Sequence, residues 1–181
     1  MEKRIILGSG KLYCQEFTGE IPEDSAIETD ANILGLISGG ASVKYEAESY
    51  TATDDLGIVV KKMITEETVE LETGILTWNG KTLEKLCSTA RVSEDKAKHT
   101  RTVKLGGVGN YNGKKWLFRF VHKDAEFGSI RLTIVGTSEE GFEFTFAKDE
   151  ETTLDVVINA LPSDDEGTLL IYTEEDASIA A

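Results

Sequence analysis

An alternation of apolar and polar side chains with a period of two, returning after short turns, constrains this chain more than any other feature. Trp116, Phe118 and Phe120 occupy every second position, as do Ile130, Leu132 and Ile134, then Phe142, Phe144 and Phe146, then Leu154, Val156 and Ile158. Neighbouring side chains of a strand point to opposite faces, so each run predicts a strand with one apolar side. Arg131 and Thr133 fall on the outward side of theirs. Turn-forming segments separate the runs: Asn112-Gly113, Phe127-Gly128-Ser129 and Glu140-Gly141. Short strands at this spacing predict a mainly β fold of two packed antiparallel sheets, sandwich-like or barrel-like. The 17 glycines against 2 prolines suit many tight turns.

The first half has longer strands. Lys11 to Phe17 reads as a strand, and the polar stretch Thr18 to Asn32 as a loop without period. Ile33 to Ile37 is a short strand ending at the turn Ser38-Gly39-Gly40. From Ala41 to Ile75 the pattern is that of long antiparallel strands. Val43, Tyr45 and Ala47 alternate with Lys44, Glu46 and Glu48, and Val69, Leu71 and Ile75 with Glu70 and Glu72. Asp54-Asp55-Leu56-Gly57 is the tip between them. Ile58, Val60 and Ile64 lie on one face of the next strand and Val59 and Met63 on the other, so it needs cover on both sides. The body of the subunit or a neighbouring subunit is expected to supply it.

One short flanking helix is predicted. Leu83, Leu86, Cys87 and Ala90 fall at helical spacing after Trp78-Asn79-Gly80, with Asn79 or Thr82 as cap and a length near ten residues. Arg91 to Lys98 is a charged connection, Gly106 to Gly109 a glycine-rich link, and Thr168 to Tyr172 the last strand. The expected organisation is one domain over 1–181. It has an N-terminal arm at about 1–10, a hairpin arm at about 51–67 and a polar, mobile tail at about 173–181.

Charge excludes one class of function. With 33 acidic and 19 basic residues the chain carries −14, which repels phosphate over the surface as a whole. Basic residues gather in the middle (Arg91, Lys96, Lys98, Arg101, Lys104, Lys114, Lys115, Arg119). Acidic ones gather towards the ends, among them Glu139, Glu140, Glu143, Asp149, Glu150 and Glu151. Such segregation either pairs one subunit's edge with another's or is a solvated surface.

No catalytic, cofactor or metal site is expected. His99 and His122 lack partners at metal-ligand spacing, and Cys14 and Cys87 make no zinc pattern. His122 continues the face of Trp116, Phe118 and Phe120, as a satisfied or solvent-edge histidine does. Gly106 to Lys115 fails the P-loop pattern at Val108 and Lys115. Asp164-Asp165-Glu166-Gly167 lacks the alternating ligands of a calcium loop, and no G-x-S-x-G elbow occurs. The two cysteines are expected to be reduced. Ile5, Ile6 and Leu7 are too short a run for an export signal, and no stretch approaches the ~18 apolar residues of a membrane span.

Several segments resemble the major tail tube proteins of long-tailed bacteriophages. They are Leu7-Gly8-Ser9-Gly10-Lys11-Leu12-Tyr13; the strand from Ile37 through Gly39-Gly40 to Glu46; Asp55-Leu56-Gly57 and the lysine- and valine-rich strand after it; and Glu67 to Gly74. Ile75-Leu76-Thr77-Trp78-Asn79 then leads into the helix. The likeness covers residues 1 to about 90, and the later strands by order alone. It implies a non-enzymatic structural subunit, in which six copies join sheet edges into a ring with an inner β-barrel. Rings stack around a tape-measure protein between tail terminator and baseplate or tip proteins, and DNA only passes through. It implies a virion component assembled in the host bacterial cytoplasm, with no cofactor and no membrane. It also implies an acidic lumen, for which Glu46, Glu48, Glu70 and Glu72 are the candidates. Asp54, Asp55, Leu56, Gly57, Val59 and Met63 are the candidates for contacts between rings or subunits. With the sequence ending at Ala181, the large C-terminal immunoglobulin-like decoration that some such proteins have is not expected.

Two alternatives follow from the residues. One is a β-sandwich module binding a cell-surface glycan or protein. It requires exposed aromatics, whereas Trp116, Phe118, Phe120, Phe142, Phe144 and Phe146 are expected in the core. The other is a small cytosolic enzyme on a β scaffold, which lacks a catalytic constellation.

Overall fold

The computed structural model describes residues 8–58, 60–125, 127–138, 141–144, 146, 148–149, 151–176 and 179. The first half holds β1 (Lys11–Glu16), α1 (Asp24–Ile27), β2 (Ile33–Gly35), β3 (Ile37–Thr53), β4 (Val60–Ile75) and α2 (Gly80–Leu86). The second holds β5 (Arg91–Asp95), β6 (Thr100–Lys104), β7 (Trp116–Asp124), β8 (Gly128–Thr137), β9 (Phe142–Phe144), β10 (Leu154–Leu161) and β11 (Ile171–Glu174). Nine strands form one antiparallel sheet in the order β2-β1-β7-β8-β10-β4-β3, with β11 added to β8 and β9 to β10, while β5 and β6 form a separate hairpin.

The large sheet folds onto itself at one corner. There β10 pairs with β8 only from Asn159 to Leu161, opposite Val135 to Thr137. Gly136 stands at this corner, where a Cβ would run into the Asn159 carbonyl. Beyond it the two halves face each other as the expected packed layers. Leu12, Cys14, Phe118, Phe120 and Ile134 from one half meet Val69, Leu71, Ile75, Leu154, Val156 and Ile158 from the other. The predicted alternation of β7, β8 and β10 is what fills this core.

Leu83 and Leu86 of α2 close one side of the core. Asn79 caps the helix as expected, its side chain accepting from the Lys81 N–H at 2.8 Å, while Thr82 Oγ1 accepts from the Asn79 N–H at 3.2 Å. The helix has seven residues rather than ten. Cys87 is already extended, because the chain turns there towards the β5–β6 hairpin. That hairpin lies against the start of the helix. A Cβ on Gly80 would come within 2.8 Å of Arg101 and Val103.

Several expectations need correction. Arg91 to Lys98 is not a plain connection, since β5 occupies most of it. Both faces of β5 are largely solvated, so no alternation marks it. Thr18 to Asn32 contains α1 and a 3-10 turn at Asp30–Asn32, each too short for a detectable period. The segment buries Ile27 completely against Tyr13, Leu117, Val121 and Val135, forming a second core on the other face of β7 and β8. Thr133 is therefore buried rather than outward, and Arg131 is largely covered.

Gly39 and Gly40 do not end a strand. They form a bulge inside β3, both at positive φ, between Ser38 opposite Gly74 and Ala41 opposite Thr73. The last strand begins at Ile171 and continues to Glu174, and Glu175 is tied to Ser129 through its backbone N–H and its carboxylate, both at 2.9 Å. That part of the expected mobile tail is thus anchored. At the other end Ser9 accepts from His122 Nδ1 at 2.7 Å, and Gly10 lies against the Phe120 ring. Residues 1–7 lie outside the described residues.

Candidate assembly surface

The β3–β4 ladder runs from Ile37 opposite Ile75 to Thr53 opposite Val60. Its first part belongs to the body, where β10 pairs with β4 from Asn159 to Leu154. Beyond Val69 no other described strand joins it, and the described residues of 46–68 are all exposed. The pair projects as a two-stranded arm, about 25 Å long at a strand rise of ~3.3 Å per residue. The unpaired edge of the sheet on this side is the 17-residue β3 itself.

The arm is more apolar than a solvated hairpin should be. Tyr50, Val60, Met63 and Ile64 are each 55–60% exposed, and Leu56 at the tip is 79% exposed. The tip is a turn in which Asp54 O accepts from the Gly57 N–H at 2.9 Å, with Gly57 at φ +69. Asp54, Asp55, Leu56, Gly57 and Met63 thus sit together on the projecting element. Val59 lies outside the described residues.

Register decides which side each arm residue takes. Glu48 pairs with Glu66 and Ser49 with Ile64, so Thr65 is an inserted bulge residue. Past it, Val60, Lys62 and Ile64 share the side of Tyr45, Val69 and Leu71. Met63 pairs with Tyr50, and both take the opposite side. The apolar residues do occupy both faces, as the pattern predicts, and neither face is covered within the subunit.

The four candidate lumen carboxylates lie on one face. Lys44 pairs with Glu70, Ser42 with Glu72, Glu46 with Thr68 and Glu48 with Glu66, all opposite the core side. Asp155 of β10 extends the same face beside Gly74. Lys44 is the cation among them, 3.0 Å from Glu46. Its hydrogen bond to Glu46 holds the ammonium above its ordinary range, and the charges of Glu70 and Glu72 add to this. On the core side of the arm, Tyr45 donates to Glu67 at 2.6 Å, which holds the phenol up.

No protein-family model and no curated protein matches the chain. Solved structures similar to it include the following two. One is a chain in the virion of a native gene transfer agent particle, 10% identical with a TM-score of 0.42, covering 91% of this chain and 95% of that one. The other belongs to the tail of an empty gene transfer agent particle with C6 symmetry, 12% identical with a TM-score of 0.43, covering 90% and 95%.

Sequence reasoning missed two features of this region. Glu66 joins the acidic face by plain alternation with Glu70 and Glu72, opposite Glu48, and the Thr65 bulge begins only beyond it. Phe144 and Phe146 are 36% and 77% exposed and are not core. The Phe144 ring lies tilted 4.8 Å from Trp78, edge-on 5.1 Å from Phe142 and stacked 6.3 Å from Phe146. The strand β9 has three residues at a sheet edge, so its alternation runs past the layer it would pack on. His122 is buried, and its Nε2 has no hydrogen-bond partner among the described residues.

Proposed function

We propose that this chain is a non-enzymatic structural subunit of a phage-type tail tube, assembling into hexameric rings that stack around a tape-measure protein and conduct DNA. The observation that carries the reading is the projecting β3–β4 arm, apolar on both faces and uncovered in the single subunit. A two-stranded hairpin is marginal in water by itself, and a long free edge strand invites pairing. Both features are liabilities in a monomer and useful in a polymer. The resemblance of residues 1 to about 90 to major tail tube proteins supplies the particular polymer. On this reading the arm bridges successive rings, tail terminator and tip proteins cap the stack, and the Glu46–Glu72 face lines the lumen. The protein is then a virion component built in the host bacterial cytoplasm. Burying two arm side chains contributes about 3–6 kcal/mol before the cost of ordering the arm.

Substituting Tyr50→Asp and Met63→Asp tests it. The double variant keeps its melting temperature, since neither residue packs in the subunit, but no longer extends polymers seen by negative-stain microscopy. Failure of the unaltered chain to polymerise with tail initiation partners present would sink the reading.

The exposed Phe144 and Phe146 favour a second reading, a β-sandwich module that binds a cell-surface glycan or protein through the Trp78–Phe144–Phe146 cluster. A strictly monomeric protein that binds a glycan array, and loses binding with Phe146→Ala, would favour it.

A further inference from the structure

The arm needs a surface to land on, and the other end of its own ladder offers one. A groove of about 670 Å3 opens on the carboxylate side of the sheet, where β3, β4, β9 and β10 meet. Its floor is bare backbone. Gly39, Gly40 and Gly141 all hold positive φ there, and a Cβ on any of them would meet nothing within 4 Å. Its rim carries Glu72, Glu143 and Asp155, with Glu143 directly opposite Asp155 in the β9–β10 pair. Like charges facing each other across a strand pair are unfavourable until a cation joins them.

The arm carries such a cation. Lys61 and Lys62 are the only basic residues between Tyr45 and Thr68. Lys62 pairs with Thr51 and shares its side of the arm with the exposed Val60 and Ile64. Groove and tip lie at opposite ends of one ladder. At about 3.3 Å per residue, Ala41 in the groove and Thr53 at the tip are roughly 40 Å apart. A second copy displaced along the strands by that length sets its tip on the groove of the first. This contact is heterologous, repeats without closing, and builds a stack.

We infer that the glycine-floored groove is the socket for the arm of a second copy, with Lys62 among Glu72, Glu143 and Asp155 and with Val60 and Ile64 against the bare backbone. The inference rests on the tube reading above and names the partner surface of that arm. Glu72 then belongs to the junction between copies, leaving Glu46, Glu48 and Glu70 to the open wall.

The test uses the full chain, assembled with tail initiation partners and followed by sedimentation and electron microscopy. The unaltered chain should give stacks whose repeat does not exceed about 40 Å. Lys62→Glu, and separately Glu72→Lys with Asp155→Lys, should each cut the sedimenting fraction about tenfold or more, and the combined charge swap should restore it. A Lys62→Cys, Glu143→Cys variant should yield an oxidised ladder of linked copies. Lys62 is exposed, so Lys62→Glu should melt as the unaltered chain does. Normal stacking of Lys62→Glu, together with no link between the two cysteines, would overturn the socket and leave the tube reading standing. Absence of stacks from the unaltered chain would overturn both.

Discussion

Arg131 donates from Nε to Oε1 of Glu28 at 2.5 Å, joining residues 103 positions apart. Its Nη1 also donates to Glu175 at 2.7 Å, and beside it the buried Arg119 bonds Asp24 at 2.5 Å and Thr133 at 3.0 Å. Two guanidiniums on the outer face of the β7–β8 pair thus hold α1 and the end of β11 in place. The carboxylates, Glu28 first, hold the Arg131 guanidinium well above its ordinary range against the opposing effect of burial. Arg131→Ala should lower stability by about 2–4 kcal/mol, because Glu28 stays covered and loses its close partner. Arg131→Lys should recover only part, since an ammonium cannot fork to both carboxylates. The denaturant midpoint measures both, with the slope unchanged.

The contact between Arg131 and Glu175 predicts acid sensitivity. Arg131 and the Ser129 N–H hold the Glu175 carboxyl below its ordinary range. A depressed folded value contributes stability that is present above the unfolded value of about 4.3 and is lost as pH falls through the folded value. Melting temperature should therefore change little from pH 7 to 5 and drop below about pH 4. Glu175→Gln should flatten that drop without removing it, because Asp164 and Glu94 are depressed too and add the same slope. An identical acid limb in the variant would exclude this role for Glu175.

The two thiols should separate kinetically. Burial pushes the Cys14 thiol up to about 12, despite the opposing charge of Lys85. The thiolate is the reactive form, so Cys14 should resist alkylation at pH 8 until the protein unfolds. Cys87, half-exposed beyond α2, should label first. Mass spectrometry of native protein should find one modified cysteine, and rapid labelling of both would show that the core opens at Cys14.

The helix cap gives a smaller effect. Asn79→Ala removes the acceptor for the Lys81 N–H and should cost about 1 kcal/mol. Asn79→Asp should be close to neutral, because a carboxylate accepts the same bond. Thermal melts distinguish the two.

The acidic face predicts a transport phenotype. On the tube reading, replacing Glu46, Glu48 and Glu70 by lysine turns a repelling wall into one that exchanges counterions with phosphate. DNA passage through assembled tubes should slow or stop while tube length stays normal, since Glu72 is left unaltered. The isolated variant should bind DNA in a strongly salt-dependent way. Unaltered passage would mean that these side chains face elsewhere.

Much of the body was legible because period-two patterning reports a face buried over several consecutive pairs. Phe118, Ile134, Leu154 and Ile158 fall where their alternation places them. Elements whose burial is not periodic were not legible. Ile27 is fully buried, yet it sits in a four-residue helix among carboxylates, which composition alone marks as a loop. Arg119 and Thr133 resemble surface residues until α1 is seen above them. Phe144 and Phe146 mislead in the other direction, since alternation continues where the sheet has no facing layer. At the candidate site, the shared face of Glu46, Glu48, Glu70 and Glu72 was readable from alternation, whereas the groove forms only when β9 and β10 are brought to β3.

Thr65 gives the arm a reading frame. Every side chain between it and the tip takes its side from one inserted residue, much as codons take theirs from one nucleotide. Inserting one residue between Glu48 and Ser49 would give Thr65 a partner, leave the composition of the arm nearly unchanged and turn it inside out. Met63 and Lys61 would go to the core side, and Val60, Lys62 and Ile64 to the acidic face. Substitutions on the arm change one contact at a time, but a single insertion rewrites all of them. Strand length is therefore under tighter physical constraint here than residue identity.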